Sequence, residues 1–508
     1  MKKKTLSYLL CAALVILCSA FMPIILFFTN VGSVKFYEIA IFIGFFSTIA
    51  LIIFVLFIFV FKSEHKASLS AGLIMIIFQN IGRLSSVMPY VFVLAIFILL
   101  SCALIFIIAK FVKDDISKLF VPVWSIVLVF IILLNSVLSI SKIASVSNVK
   151  NEIQNDINTQ YKYLSSYKNE STNPESLPNV YLIIVDEYAG FSSSEKYLNY
   201  DNSAFKSFLK SKNFTVSNSS TNYYDGTYEC LANIFNLEVS EKNKIANTTE
   251  AYCEAKAADG ALFKIAEDMG YTITAAQAVN VANYESRTKV YGDKWSDTGK
   301  GKSTIDLMIS PSLLCPFVEE LRSILNGVPL DYFRGRSHVI NQASSFDAPL
   351  KYFADSENLS KHNTFNLCYT PIPHPPFFFD EKGNIIEGTS HLLDWSTPEY
   401  YINQLKYCNK LLEDTIENIT TNDPDSIIVL MSDHGVRNYS TSSIQFDWMN
   451  QMSPKDHTDI LCAVYYKGES FSDIDGFCGS NVLINVINKA WGYEIPLIKQ
   501  SDDFYFNK

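Results

Sequence analysis

The chain has 508 residues, with 41 Lys and Arg against 51 Asp and Glu, and these charges are unevenly distributed. Residues 1–140 hold ten of the basic and four of the acidic residues, which leaves 31 basic and 47 acidic residues in 141–508, a net charge near −16. So acidic a region lacks the basic surface that nucleic acids require, which excludes nucleic-acid binding as its main function.

Four apolar runs in residues 1–140 have the length of a membrane span: 6–28, 39–61, 87–108 and 119–140. A fifth run, 67–81, is shorter and contains Ser and Gly. An interfacial helix is the alternative there, and we expect a span. The first run is too long for a cleaved signal peptide, and more spans follow it. We therefore expect a transmembrane domain of about five helices over 1–140.

The basic residues near the span ends predict the orientation of the chain. With five spans and the N-terminus inside, the inner segments carry Lys2, Lys3, Lys4, Lys62, Lys66, Lys110, Lys113 and Lys118. The outer loops carry Lys35 and Arg83. This asymmetry predicts a multi-pass protein of the plasma membrane whose C-terminal domain is extracytoplasmic. With four spans instead, that domain would face inward.

A polar juxtamembrane linker is predicted over 141–177, and a single α/β domain over 178–508, because strands alternate there with helices. The predicted strands are 179–185, 271–276, 365–369, 427–431 and 460–466. The predicted helices are 202–212, 228–237, 260–269, 398–419 and 482–491. The stretch 299–346 is less regular, and we interpret it as an insertion over the site.

Two of these strands end in groups that bind metals. The β-branched run 427–431 leads into Asp433, His434 and Gly435, and the strand 179–185 leads into Asp186 and Glu187. An isolated Asp-His pair is as often a salt-bridged turn. Because ligand sites of open α/β sheets lie at the carboxyl ends of the strands, the two strand ends together predict one shared metal site.

Thr227 follows Gly226 at the point where a helix is predicted to begin. The N-terminus of a helix has a positive dipole and stabilises an anionic phosphoryl group. A threonine hydroxyl becomes a nucleophile when a metal or a base lowers its pKa. The alternative is a threonine that only caps the helix.

The order NVYLIIVDEY (179–188), Thr227, PHPP (373–376) and SDHG (432–435) resembles the sulfatase-like branch of the alkaline phosphatase superfamily. With several N-terminal spans, the chain is similar to lipoteichoic acid synthases and phosphoethanolamine transferases. The resemblance covers about 178–495 and the general layout of the spans. It implies an alkaline phosphatase/sulfatase-like α/β fold and an extracytoplasmic catalytic domain.

The resemblance also implies residue roles. Asp186, Asp433 and His434 match metal ligands, and Thr227 matches the nucleophile that also contacts the metal. His374 matches a substrate-binding histidine, with a structural histidine in a proline-rich loop as the alternative. Arg287 and Arg437 are candidates for binding the substrate anion, and a surface arginine is the alternative for Arg287. The ligand types suit one divalent ion, Mn²⁺ or Zn²⁺, and are compatible with Mg²⁺.

The chain departs from the family pattern in two places. Sulfatases carry C/S-x-P-x-R, whereas the matching stretch here, Thr227-Tyr228-Glu229-Cys230, has neither the proline nor the arginine, which disfavours sulfate ester hydrolysis. The histidine that related enzymes carry before the last strand aligns ambiguously with His457 or Asp459, which leaves a second metal open.

These features predict a metal-dependent phosphotransferase. It would move a phosphoglycerol or phosphoethanolamine head group from a membrane phospholipid to a cell-surface glycan or lipid, through a phosphothreonine intermediate. One alternative is a hydrolase with the same metal site: a phosphatase, a phosphodiesterase or a sulfatase. A non-catalytic membrane protein that binds a polymer or a partner is the other.

Ten cysteines are present, and seven of them lie outside the predicted spans. Their spacing matches no zinc-binding pattern. A disulfide between Cys230 and Cys253 and a set of buried reduced thiols are both compatible with the sequence.

Overall fold

A computed structural model describes residues 2–29, 36–86, 90–169, 177–239, 250–290, 308–309, 311–314, 343–359, 363–386, 392–440 and 444–499. The chain divides into two compact units. One comprises Met1–Lys150 with Asp293–Asp331, and the other comprises Asn151–Gly292 with Tyr332–Lys508. Most of the stretch 299–346, interpreted above as an insertion, lies outside the described residues.

The first unit is helical. It contains α1 (Lys2–Thr29), α2 (Phe36–Phe61), α3 (Glu64–Asn80), a 3₁₀ helix (Ile81–Ser86), α4 (Tyr90–Phe111) and the beginning of α5 (Asp114–Ser165). Five segments are long and apolar enough to cross a membrane: Lys4–Thr29, Tyr37–Phe61, Glu64–Leu84, Val91–Phe111 and Asp114–Ser139. The prediction of an N-terminal multi-span helical region is therefore confirmed, and the third segment is a helix with the length and composition of a span.

Burial explains the unusual composition of the third span. The structure buries 56% of its apolar window, against 11% for each of the last two spans. A Cβ on Gly72 would lie 2.8 Å from the sulfur of Cys18, so glycine permits close packing of α3 on α1. The Gln79 amide nitrogen donates to the Ser19 carbonyl at 2.6 Å. The small and polar residues of α3 thus face neighbouring helices.

The second unit is built on a six-stranded sheet. Its strands are β1 (Val180–Val185), β2 (Thr215–Val216), β3 (Thr272–Gln277), β4 (Thr364–Thr370), β5 (Ile427–Ser432) and β6 (Cys462–Tyr466). The spatial order is β2-β6-β5-β1-β4-β3. Strands β3, β4, β1 and β5 are parallel, and β6 is antiparallel to β5. Every residue of β1, β4 and β5 is buried, as expected for parallel strands covered on both faces.

Helices cover both faces of this sheet. The end of α5, α8 (Thr227–Asn236), α9 (Glu250–Ala258), α10 (Ala261–Asp268) and α15 (Gly479–Trp491) contribute to one core. The other core is formed with α6 (Phe191–Leu198), α7 (Ser203–Ser211), α11 (Ala348–Phe353) and α12 (Glu399–Asn422). Two short helices, α13 (Asp447–Asn450) and α14 (Pro454–His457), and a 3₁₀ helix (Ser356–Asn358) complete the described elements. The predicted α/β domain is therefore confirmed.

One detail differs from the sequence-based expectation, and one alternative that the sequence left open is decided. The last strand begins at Cys462, because Ile460 forms an isolated bridge with Ala189 before the ladder starts. No disulfide joins Cys230 and Cys253, and both are buried thiols in the described part of the chain.

Candidate metal centre and nucleophile

The register of three strands brings the predicted ligands to one edge of the sheet. Val185, the last residue of β1, pairs with Thr370 of β4 on one side and with Ser432 of β5 on the other. The residues that follow, Asp186 after β1 and Asp433 after β5, therefore leave the sheet side by side. This is the carboxyl edge of the strands, where open α/β sheets bind their ligands.

Asp186, Asp433 and His434 converge on one point. Each offers a ligand atom, and the three atoms lie within 4.8 Å of one another. Oδ1 of Asp433 accepts from the backbone N–H of Glu187 at 3.1 Å and of His434 at 2.8 Å. Nδ1 of His434 lies 2.7 Å from the carbonyl of Gly435, which leaves Nε2 for the common point. The backbone thus fixes one side-chain atom of Asp433 and one of His434, and leaves the other atom of each for the common point.

The surroundings of Oδ2 of Asp433 indicate whether a metal ion fits this cluster. This oxygen is buried and has no hydrogen-bond partner among the described residues. A buried carboxylate oxygen without a partner is costly unless a cation compensates it. It lies 3.8 Å from Nε2 of His434, which in turn lies 3.5 Å from Oδ1 of Asp186. Two carboxylates and one imidazole arranged in this way fit a divalent ion such as Zn²⁺ or Mn²⁺.

The protonation states support the same fit. Burial raises the pKa of Asp186 well above its usual range, and the neighbouring charges of Asp433 and Glu187 raise it further. Burial likewise raises the pKa of Asp433. Burial lowers the pKa of His434 to about 3, with the charge of Arg437 as the next cause, so its imidazole is neutral at physiological pH, as a metal ligand would need to be. A bound cation would relieve the repulsion between the two carboxylates.

Gly435 is required for the turn after β5. A Cβ at this position would lie 2.6 Å from the backbone carbonyl oxygen of Asp459 and 2.9 Å from that of His457. The N–H of Gly435 donates to the same His457 carbonyl at 3.0 Å. The chain can therefore turn tightly at the SDHG motif, which places His434 against Asp186.

Asn222 connects the polar segment before Thr227 to the end of β5. Its amide nitrogen donates to the backbone carbonyl of Asp433 at 2.5 Å, and its Oδ1 accepts from the N–H of Gly479 at 2.9 Å. This connection holds the segment before α8 beside the three candidate ligands.

Thr227 is the first residue of α8 and faces the ligands. Its hydroxyl lies 3.3 Å from Nε2 of His434 and 3.5 Å from Oδ1 of Asp186. Gly226, not Thr227, occupies the N-cap position. Since the Thr227 hydroxyl does not cap its helix, the capping alternative does not account for this residue.

Glu187 is a residue whose role at this site sequence reasoning missed. It adopts a left-handed backbone conformation, with φ +59°, which is uncommon for a non-glycine residue. Its fully buried carboxylate accepts from the Arg437 N–H at 2.7 Å and from the Tyr439 hydroxyl at 3.0 Å. Burial raises the pKa of Glu187 to about 8, while Arg437 opposes this shift. The sequence signal that could have identified Glu187 is its position directly after Asp186, at the end of a buried strand.

Arg437 and His374 lie around this carboxylate. Nε of Arg437 donates to the Asp225 carbonyl at 2.9 Å, and Nη2 lies 3.5 Å from Nε2 of His434. Nε2 of His374 lies 3.7 Å from the Glu187 carboxylate, and its Nδ1 contacts the carbonyl of Pro375. The structure therefore brings both predicted substrate-binding residues next to the ligand cluster.

Three other candidates are not part of the described cluster of Asp186, Asp433 and His434. Arg287 is exposed, and its backbone N–H donates to the carbonyl of Ala275 at 2.7 Å. Asp459 accepts from the Ser192 hydroxyl and the Ser193 N–H at the start of α6. His457 is buried, with Nδ1 2.6 Å from the Val436 carbonyl, and is not one of the three grouped ligands.

Comparisons with known proteins found structures but no sequence relatives. No protein-family model and no curated protein match the chain. One similar structure is the C-terminal periplasmic domain of EptC from Escherichia coli in complex with Zn. It is 14% identical, with 67% of this chain and 93% of that chain covered and a TM-score of 0.40.

Two further structures are similar to this chain. The integral membrane lipooligosaccharide phosphoethanolamine transferase A from Neisseria meningitidis is 12% identical, with 94% and 95% covered and a TM-score of 0.36. A protein in the alkaline phosphatase superfamily from Vibrio parahaemolyticus is 12% identical, with 63% and 68% covered and a TM-score of 0.34. These are the kinds of protein that the sequence motifs resemble. At such identities and TM-scores, however, they assign no activity to this chain.

Proposed function

We propose that this protein is a metal-dependent membrane phosphotransferase whose nucleophile is Thr227. The observation that carries the proposal is the position of the Thr227 hydroxyl, 3.3 Å from His434 and 3.5 Å from Asp186, in a cluster where Oδ2 of Asp433 is buried and has no hydrogen-bond partner among the described residues. A serine or threonine hydroxyl needs such surroundings to lose its proton at neutral pH.

Asp186, Asp433, His434 and the Thr227 hydroxyl would hold one divalent ion. When bound, such an ion lowers the pKa of a hydroxyl and neutralises phosphate charge. The first turn of α8 contributes N–H groups that intrahelical bonds do not use, and these face an anion bound near Thr227.

The reaction would proceed in two displacements at phosphorus. Oγ of Thr227 forms a bond to the phosphorus of a phospholipid head group, its proton passes to solvent, and the bond from phosphorus to the diacylglycerol oxygen breaks. That oxygen takes up a proton and leaves as the hydroxyl of diacylglycerol. In the second displacement a hydroxyl oxygen of the acceptor forms a bond to phosphorus and releases its proton, the bond from phosphorus to Oγ breaks, and Oγ takes up a proton to become the hydroxyl of Thr227 again.

The donor would be a membrane phospholipid, since five helices among the described residues are long and apolar enough to cross a membrane and would keep the enzyme among lipids. The distribution of basic residues supports an extracytoplasmic site at the plasma membrane, and hence a cell-surface glycan or lipid as the acceptor. Phosphoethanolamine and phosphoglycerol are the head groups that the family resemblance suggests.

Turnover of labelled lipids tests this function. Full-length protein in detergent micelles should release diacylglycerol from phosphatidylethanolamine or phosphatidylglycerol in the presence of Mn²⁺ or Zn²⁺, and chelation should stop the release. Addition of a polyol or glycan acceptor should move the labelled head group onto it. Release of the free phosphorylated head group, unchanged by any acceptor, would favour the hydrolase. Metal binding without turnover of any lipid would contradict both enzymes.

Arg437 is the better placed of the two arginines for the substrate phosphate. Its guanidinium is anchored through Nε on Asp225 and reaches His434 with Nη2. Arg437→Lys keeps the charge but loses the planar donor pair, so kcat/KM should fall by about 10- to 100-fold. The matched control is Arg287→Lys, for which the kinetics should stay within about two-fold of wild type. A comparable loss in Arg287→Lys would instead identify Arg287 as the anion-binding residue.

A further inference from the structure

The two oxygens of Asp186 have different surroundings. Oδ1 lies toward Thr227 and His434, at 3.5 Å from each. Oδ2 accepts a hydrogen bond of 2.7 Å from the hydroxyl of Tyr369. A carboxylate that is free to rotate could present either oxygen, or both, to a metal. In this structure the hydroxyl of Tyr369 occupies one of them.

Tyr369 is well fixed for this contact. It lies near the end of β4, in register with Ile184 of β1, and it is 2% exposed. Its backbone carbonyl accepts from the N–H of Ala278 at 3.0 Å. Because Asp186 follows β1 directly, the phenol reaches the carboxylate across adjacent, fully paired strands. The phenol O–H is the donor of this hydrogen bond and Oδ2 of Asp186 is the acceptor.

We propose that Tyr369 is a positioning residue of the metal centre: its hydroxyl holds Oδ2 of Asp186, so that Oδ1 alone is presented to the divalent ion. Nothing in the sequence pattern distinguishes Tyr369 from the other aromatic residues of the strands. The inference rests on the metal site of the proposed function, but it is independent of the substrate and of the reaction.

Loss of a hydrogen bond that orients a metal ligand typically lowers metal affinity by about 10- to 100-fold, because the ligand is no longer held in one orientation. We therefore expect Tyr369→Phe to weaken Mn²⁺ binding by that factor in the full-length protein, measured by competition with a chelating dye. The electron paramagnetic resonance spectrum of bound Mn²⁺ should also change, since the second oxygen of Asp186 can then reach the ion.

Tyr181→Phe is a matched control. Tyr181 is buried in the neighbouring strand β1, and its hydroxyl likewise donates to a carboxylate, Oδ2 of Asp423, at 3.0 Å. This variant loses the same kind of hydrogen bond away from the metal ligands, so its Mn²⁺ affinity and spectrum should match those of wild type.

The outcomes are distinguishable. Wild-type affinity and an unchanged spectrum in Tyr369→Phe would overturn the role of Tyr369 while leaving the metal site intact. An equal loss in Tyr181→Phe would show that the effect is general destabilisation, and would also overturn it. Failure of the wild-type protein to bind Mn²⁺ or Zn²⁺ would refute the metal site, and the proposed function with it.

Discussion

Thr227→Val is expected to reduce head-group transfer by at least about 10³-fold, because it removes the hydroxyl that would attack phosphorus and keeps the shape of the side chain. The substitution should leave folding intact. Gly226 provides the N-cap of α8, and the Thr227 hydroxyl makes no capping hydrogen bond. The measurement is metal-dependent release of diacylglycerol from labelled phospholipid by full-length protein.

Thr227→Ser is the matched variant for this prediction. It retains a primary hydroxyl at the same position, and we expect it to keep at least about a tenth of the wild-type rate, since only packing of the methyl group is lost. If Thr227→Val retained more than a few per cent of the activity, water or another side chain would have to be the nucleophile. Metal affinity, measured in parallel, would show whether any loss comes from the ion instead.

The second large effect is expected for Asp433→Asn. This substitution should weaken metal binding but should not lower the stability of the metal-free protein. The side-chain oxygen of the new asparagine can still accept from the N–H groups of Glu187 and His434, as Oδ1 of Asp433 does. Its amide nitrogen takes the place of Oδ2, the buried oxygen that has no partner among the described residues. Metal affinity should fall by about 100-fold or more, because a charged ligand is lost. The metal-free protein should unfold at the same or a higher temperature, because a buried charge is removed.

The pH dependence of wild type provides a further check on the same carboxylate. Burial raises the pKa of Asp433 from 3.8 to about 6 in the folded, metal-free protein. Between these values the folded state binds more protons than the unfolded state, so stability falls as the pH rises through this window. Above about pH 6 the destabilisation is complete, and a bound cation would compensate it.

The increase in unfolding temperature on adding Mn²⁺ or Zn²⁺ should therefore be larger at pH 7.5 than at pH 5 in wild type, because protons compete with the metal at the lower pH. In Asp433→Asn this increase should be small at both pH values. An equal, large increase in wild type and variant would place the metal elsewhere in the chain.

Much of the fold and of the candidate site can be predicted from local patterns in the sequence. The continuous apolar runs predict β1 and β5, and the polar residues that end them predict Asp186, Asp433 and His434 as candidate ligands. The glycine before Thr227 and the apolar face after it predict where α8 begins. These features depend on residues close together in the chain, so periodicity and turn chemistry are sufficient.

Contacts between distant elements could not be predicted in this way. That Tyr369 bonds to Asp186 depends on the pairing of β4 with β1, and residues nearly two hundred positions apart in sequence carry no local signal of it. The left-handed conformation of Glu187 is likewise decided by its tertiary contacts with Arg437 and Tyr439. The sequence around Arg287 is compatible with an anion-binding arginine. In the structure, however, its backbone N–H bonds to Ala275 of β3 and its side chain is exposed at the surface.

Mass spectrometry of the peptide that contains Thr227 tests the central claim most directly. Full-length protein would be incubated with Mn²⁺ or Zn²⁺ and isotopically labelled phospholipid without an acceptor, quenched in acid and digested, with Thr227→Val treated identically. The account predicts a labelled phosphoryl head group on Thr227 in wild type, whose mass identifies the head group, and none in the variant. Lipid turnover in wild type with no adduct on this peptide at any time point would contradict the covalent mechanism.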